Sequence, residues 1–172
     1  MNPDRPFLQH LPSEFLTWVW FASERGGGTF DLGPELGRVD VWVDDRIAFR
    51  TVDDDKPRTV LTGENPSTTM EAHAALAGGR VVRELRLALR REDREYSLNV
   101  RGAVFDIQGA KLPGMVKGGT EETLYDRMYL YEELVSILGG LLTAFAAERT
   151  ADNWRDETMA AMRDWVSGSL RG

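Results

Sequence analysis

The sequence predicts an α+β fold: antiparallel β-sheet meanders with a buried N-terminal helix, one short middle helix and a C-terminal antiparallel helix pair. Two stretches alternate polar and apolar residues, whereas the beginning, middle and end of the chain have helical spacing. The connections between strands are of hairpin length, which favours antiparallel pairing over a doubly wound parallel sheet. At 172 residues the chain is expected to form one domain over 12–172, after a flexible lead-in over 1–11.

The first helix is predicted from the densest apolar block of the chain, residues 15–21. Six of its seven side chains are large and apolar, which is typical of a helix buried on nearly every side. Ser13 can cap the start of this helix, and the glycines at 26–28 can end it. We therefore expect a buried helix over 13–25.

The first β region should contain two turns rich in aspartate. Asp44 and Asp45 are expected to connect a hairpin, and the three aspartates at 53–55 are expected to form the next turn. The strands expected around these turns cover residues 29–32, 38–43, 46–50 and 58–61.

A short middle helix separates this region from a second meander. Thr68 or Ser67 can cap a helix over 69–77, and the following Gly78 can close it. Strands are then expected over 81–91, 94–101 and 104–107. In the first two, alternate positions point to the core, namely Leu85, Leu87, Leu89, Tyr96, Leu98 and Val100.

The C-terminal part is predicted to be two helices, over 121–149 and from 154 to about 170. The short connection between them favours an antiparallel pair. Two glycines, Gly139 and Gly140, interrupt the longer helix and indicate close backbone packing or a bend. Apolar residues recur along it at heptad-type spacing, a stripe formed by Leu124, Met128, Tyr131, Val135, Leu138, Leu142 and Phe145.

Composition restricts the chemistry that the chain can perform. There is no cysteine, which excludes disulfides and thiol catalysis, and the net charge of -7 disfavours non-specific attraction to nucleic acid or anionic lipid. The N-terminus has no apolar stretch of the signal-peptide type, and no run approaches the length of a membrane span. We therefore predict a cytoplasmic location and no membrane contact.

No catalytic residue, metal site or cofactor is predicted. His10 and His73 lack ligand-type spacing, so a structural or surface role is expected for each. The aspartates at 44–45 and 53–55 are the better candidates, because paired carboxylates can hold a divalent cation for phosphoryl chemistry. Solvated turns are the favoured interpretation of both clusters.

A basic segment stands out in the second meander. Residues 80–101 contain seven arginines and four acids within an otherwise acidic chain. Arginines spaced along the outer face of a sheet can follow a phosphate backbone, although ordinary solvated arginines give the same pattern. The predicted DNA-contacting residues are Arg80, Arg86, Arg90 and Arg101.

Several segments also stand in a familiar order. They are EFLTWVWF (14–21), VWVDDRI (41–47), ELRLAL (84–89), REYSL (94–98), KLP (111–113), DRMYL (126–130) and the terminal Arg149, Trp154 and Trp165. Their order resembles the C-terminal part of RdgC-like recombination-associated proteins of bacteria. The resemblance implies non-catalytic binding of duplex DNA by ring-shaped dimers that restrain RecA-driven recombination.

Three hypotheses about function follow. The first is a protein that binds double-stranded DNA or a DNA-processing partner without catalysis. The second is a structural or interaction module that forms a homodimer, or docks a partner, through its C-terminal helices. The third is an enzyme that uses the aspartate turns with a metal.

Overall fold

The computed structural model describes residues 5–52, 54–102, 106–114 and 121–168, and the side chains of 13–52, 59–102, 106–114 and 123–168. Within these ranges the chain forms four α-helices and a six-stranded antiparallel sheet, which confirms the predicted α+β class. The helices are α1 (Arg5–Arg25), α2 (Met70–Ala77), α3 (Glu121–Thr150) and α4 (Met159–Gly168). The strands are β1 (Thr29–Asp31), β2 (Arg38–Thr51), β3 (Asp54–Thr62), β4 (Val81–Arg91), β5 (Arg94–Arg101) and β6 (Asp106–Lys111). A 3-10 turn, Pro66–Thr68, precedes α2, and a π-helical turn, Trp154–Thr158, precedes α4.

The sheet has the strand order β1-β2-β4-β5-β6, with β3 also paired to β2. The length of β2 explains this arrangement, because the strand has fourteen residues and both shorter strands share one of its edges. Thr29 of β1 lies opposite Asp40, whereas Thr59 of β3 lies opposite Phe49. The other edge of β2 pairs with β4, so β2 and β4 form the centre of the sheet.

The predicted hairpin turn at Asp44 and Asp45 is wrong, because β2 runs through both residues without reversing. Its register with β4 shifts between Val43 and Ile47, so the two aspartates lie in a β-bulge. Both Asp44 and Asp45 contact Arg86 on β4, a cross-strand ion pair that local turn propensity cannot reveal. The hairpin that does form here joins β2 to β3, where Thr51 pairs with Asp54.

The first helix begins at Arg5 rather than at Ser13. Ser13 therefore lies inside α1 and is not its N-cap, and residues 5–11 of the predicted lead-in belong to the helix. Pro12 also lies inside α1, and the helix continues through it although an interior proline removes one helical hydrogen bond. The predicted end at Arg25 is confirmed. Gly28 follows with φ 80, and a Cβ there would lie 2.8 Å from the Val41 carbonyl oxygen.

The second half of the sheet agrees closely with prediction. Strands β4 and β5 have the expected bounds, and their predicted core positions are all buried. The short helix α2 is capped by Thr69, whose Oγ1 accepts a hydrogen bond from Ala72 N at 3.3 Å, so the predicted caps at Ser67 and Thr68 are wrong by one or two residues. Of the predicted third strand, residues 104–105 lie outside the described residues, and β6 continues to Lys111, past the predicted end at residue 107.

The core lies between the sheet and the helices, as the buried N-terminal block predicted. Trp18, Trp20 and Phe21 of α1 are all 5 % exposed or less. Phe145 of α3 packs against α1, with its ring centroid 5.5 Å from that of Trp18. Helix α4 packs on α1 and α2 and lies adjacent to α3, and its Trp165 ring is 4.9 Å from Trp20.

Helix α3 packs on the core mainly through one apolar face. Its fully buried members are Leu134, Ile137, Leu141 and Phe145, all 1 % exposed or less, and Leu130, Leu138 and Ala144 are partly buried beside them. Gly140 lies beside it, and a Cβ on Gly140 would come within 3.1 Å of Leu36 Cδ1 and 3.3 Å of Leu32 Cβ. The predicted close packing is therefore found at Gly140, whereas Gly139 has nothing within 4 Å of its Cβ position.

Candidate interaction surfaces

The outer face of β4 and β5 places Arg86 in a network of acids and amides. Its Nε lies 3.3 Å from Asp44 Oδ2 and 3.4 Å from Asp45 Oδ1. Its Nη atoms donate to Asn99 Oδ1 at 3.3 Å and to Ser97 Oγ at 2.9 Å. The Arg86 side chain is only 13 % exposed, so its charge is directed inward to these partners.

Arg90 and Arg101, on the same sheet face, are also paired with acids. Arg90 donates from Nε and Nη2 to Asp40 Oδ2, at 3.2 and 2.8 Å, and its guanidinium lies 5.9 Å from the Trp42 ring centroid. Arg101 Nε lies 3.6 Å from Glu84 Oε2. We name the group Arg86, Arg90, Arg101 and their acids the arginine face. Because bases and acids alternate on it, its charges are largely compensated within the fold.

The hydrogen bonds of Asp40 fix its charge state. Thr29 donates from Oγ1 to Asp40 Oδ1 at 2.7 Å, and this bond, together with those from Arg90, holds the pKa of Asp40 below its usual range. Asp40 therefore stays ionised, which keeps Arg90 paired across the neutral pH range.

Arg80, the fourth predicted DNA contact, lies apart from the other three. It lines a cavity bounded by α1, α2, the start of β4 and α4, together with Arg163. In the part of the chain that the structure describes, neither Arg80 nor Arg163 has an ion pair or a hydrogen bond from its side chain. The four predicted DNA contacts are therefore in two places. Three of them are paired with acids on the arginine face, and Arg80 lies at the cavity.

The outer side of α3 carries seven of the ten large apolar side chains that are exposed among the described residues. Its exposed side chains include five members of the predicted heptad stripe, and two tyrosines widen it near the start of the helix. The exposed residues are Leu124 (57 %), Tyr125 (63 %), Met128 (51 %), Tyr129 (57 %), Tyr131 (47 %), Val135 (44 %) and Leu142 (38 %). We name this surface the α3 face. Contiguous apolar surface of this kind marks interaction sites.

A buried charge cluster, which the sequence analysis missed, anchors α3 to the sheet. Glu133 is 6 % exposed and accepts hydrogen bonds from Tyr96 Oη and Arg91 Nη1, while Arg94 Nη2 lies 2.9 Å from its Oε1. Burial, followed by the hydrogen bond to Glu133, raises the pKa of Tyr96. A glutamate in a helix usually faces solvent, so no local pattern indicates that Glu133 is buried and joins α3 to the sheet.

His73, for which a structural or surface role was expected, is buried between Trp20 and Trp165, with centroid distances of 5.2 and 4.9 Å. Its Nδ1 lies 3.1 Å from the Thr69 carbonyl oxygen. The side chain of His10, and those of the aspartates at 53–55, lie outside the described residues. Among the residues that are described, no three His, Asp or Glu side chains come together as a metal site would require.

The expectation that no run approaches a membrane span is wrong for α3, which is long and apolar enough over Thr123–Thr150 to span a membrane, judged by length and composition alone. Core helices of globular proteins meet the same criterion, and 28 % of the apolar window is buried in the fold. The predicted absence of membrane contact and the predicted cytoplasmic location stay predictions.

Comparisons with known proteins add no further assignment: no family model, curated protein or solved structure matches the chain. The resemblance to RdgC-like proteins therefore stays a prediction, as does DNA contact through Arg80, Arg86, Arg90 and Arg101.

Proposed function

We propose that this chain is a non-catalytic interaction module that pairs with a second copy of itself through the α3 face. The observation that carries the proposal is the exposure of most of the heptad-type stripe. Helix α3 packs on its own core through Leu134, Ile137, Leu141 and Phe145, and Phe145 is the last residue of the stripe. Leu138 is partly buried, and the other five stripe residues are exposed. A 3.5-residue apolar repeat is the pattern that lets one helix pack along another over several turns.

The position of Gly139 supports the proposal that the surface packed on the α3 face is a helix. A glycine inside a helix costs about 1 kcal/mol relative to alanine, and no neighbour within the described fold approaches its Cβ position. Its neighbour Gly140, in contrast, is explained by Leu32 and Leu36. A second helix lying against the exposed side of Gly139 would give this residue the same close-packing role.

The distribution of side-chain size along the α3 face favours a second copy in antiparallel orientation. The first half of the face is bulky, and the second half contains Gly139 and Ala146. If two copies cross at Val135, Tyr131 of one lies opposite Gly139 of the other, and Leu124 lies opposite Ala146. At these two positions a large side chain meets a small residue, and the two helix dipoles are antiparallel.

The test is the molar mass in solution of the full chain and of two variants. Met128→Glu with Val135→Glu places two charges on the α3 face, and Ser136→Glu places a charge on a neighbouring exposed position. We expect the parent and the Ser136 variant to sediment as dimers, and the double variant as a folded monomer of 19.3 kDa. A parent that remains monomeric at all concentrations, or a double variant that remains dimeric, would contradict the proposal.

A further inference from the structure

We propose that the cavity beside Arg80 binds an organic anion with an apolar body, of the long-chain carboxylate class. The cavity has a volume of about 670 Å³, which lies within the range of small-molecule sites. It opens between α1, α2 and α4, away from the arginine face, and it is independent of the pairing proposed for α3.

The walls of the cavity fit an apolar ligand. Met159, Met162 and Val166 of α4 form one side, and Leu76, Val81 and Trp154 are among the residues that form the rest. Methionine side chains adapt to ligands of different shape, since they are unbranched and flexible. The π-helical turn that contains Trp154 is a rare conformation that occurs often at functional sites.

The polar groups at the cavity fit a carboxylate. Arg80 and Arg163 both line it, and neither has an acidic partner among the described residues. Glu14 also lines the cavity, but its carboxylate is paired with Arg149, whose Nε donates to Glu14 Oε2 at 2.9 Å. A guanidinium without a partner beside an apolar wall is suited to a ligand carboxylate, which it can bind with two hydrogen bonds.

Ser13 is the second polar feature of the cavity wall. It is 3 % exposed, and its Oγ has no hydrogen-bond partner in the described structure. Buried hydroxyl groups are normally satisfied, so an unsatisfied one at a cavity indicates a missing partner. A ligand oxygen in the cavity is a hydrogen-bond acceptor of the kind that this hydroxyl lacks.

The test is calorimetric titration of the full chain with oleate below its micellar concentration, and separately with oleyl alcohol, which has the same body without the charge. We expect one oleate per chain, and binding of the alcohol weaker by roughly tenfold or more. Arg80→Gln should weaken oleate binding to a similar degree and leave the alcohol unchanged. Ala77→Trp, which fills the cavity from an exposed position of its wall, should abolish both.

Two further variants separate this site from the other surfaces. Arg90→Gln, on the arginine face, is the matched charge control and should bind oleate like the parent. Met128→Glu with Val135→Glu should also bind like the parent, because the α3 face is not part of the cavity. Absence of oleate binding, equal binding by Arg80→Gln, or loss of binding only in the α3 variant would each overturn the proposal.

Discussion

At the scale of single residues, the clearest new feature is the Glu133 cluster. A carboxylate 6 % exposed is stable in a protein interior only when charged and polar partners surround it, and here two arginines and a tyrosine do so. The alternation of polar and apolar residues in β5 predicts that Tyr96 is buried, which is confirmed. The same pattern cannot predict which group its hydroxyl contacts. Glu133 and Tyr96 are 37 positions apart, a long-range pairing that no local pattern encodes.

This cluster predicts a loss of stability at alkaline pH. The pKa of Tyr96 is raised in the folded state, whereas an unfolded tyrosine titrates near pH 10, about its model value. The contribution is therefore complete below about pH 10 and declines as the pH rises toward the folded pKa. We expect Tyr96→Phe to lose about 1.5–3 kcal/mol at neutral pH and to show a shallower alkaline decline, measured by urea unfolding.

Tyr125, which is 63 % exposed, provides the control for this experiment, carried out in the monomeric variant with Met128→Glu and Val135→Glu because Tyr125 belongs to the α3 face. In that background Tyr125→Phe should leave the neutral stability unchanged. An alkaline slope for Tyr96→Phe equal to that of the parent would show that the raised pKa is not what couples stability to pH.

The DNA-contact prediction is also tested at single residues. If the arginine face binds duplex DNA, binding should be sequence-independent and should weaken with salt. Arg90 gives the sharper variant, because its side chain is 54 % exposed and Arg86 is 13 % exposed. We expect Arg90→Glu to weaken low-salt binding in fluorescence anisotropy more than Arg155→Glu, an equal charge change at an exposed arginine outside the sheet. No anisotropy change for the parent at low salt would remove the prediction.

At the scale of elements, α3 shows that one helix can carry two apolar faces. Its bounds were predicted to within one residue, and the stripe exists as the spacing indicated. The face that meets the core is nevertheless the neighbouring one, through Leu134, Ile137 and Leu141. Both faces are apolar, and a sequence without tertiary information cannot rank them.

The adjacent glycines of α3 give a matched pair of substitutions. Gly139→Ala adds a methyl group in open space, so the monomer should gain about 1 kcal/mol of stability from helix propensity. Gly140→Ala places its methyl group 3.1–3.3 Å from Leu32 and Leu36. Since tight packing offsets the gain, we expect the Gly140 variant to be less stable than the Gly139 variant by about 1 kcal/mol or more in chemical denaturation of the monomeric background.

The Gly139→Ala substitution also separates an effect on the stability of the isolated chain from an effect on dimer affinity. In the pairing proposed here, Gly139 faces Tyr131 of the second copy, so Gly139→Ala should weaken the dimer while stabilising the isolated chain. Dimer affinity unchanged or increased in Gly139→Ala would contradict close helix approach at this position.

At the scale of the whole molecule, three surfaces differ in how far their charged and apolar groups find partners within the fold. The arginine face pairs its own charges, and the α3 face exposes apolar side chains. The cavity is lined by Arg80 and Arg163, which have no ion pair among the described residues. The fold class and the strands β4 and β5 could be predicted, because alternation and turn residues are local signals. The bulge at Asp44 and the burial of Glu133 could not, because each depends on a residue distant in the chain.

The α3 face carries the central claim, and a single cysteine tests it most directly. The chain contains no cysteine, so Val135→Cys introduces one thiol in an otherwise thiol-free background. Two copies crossing at this position bring the thiols within disulfide range, which requires Cα atoms closer than about 7 Å. We predict that mild oxidation converts Val135→Cys to a covalent dimer far more completely than Ser136→Cys. Equal or negligible cross-linking of the two variants would contradict the proposed pairing.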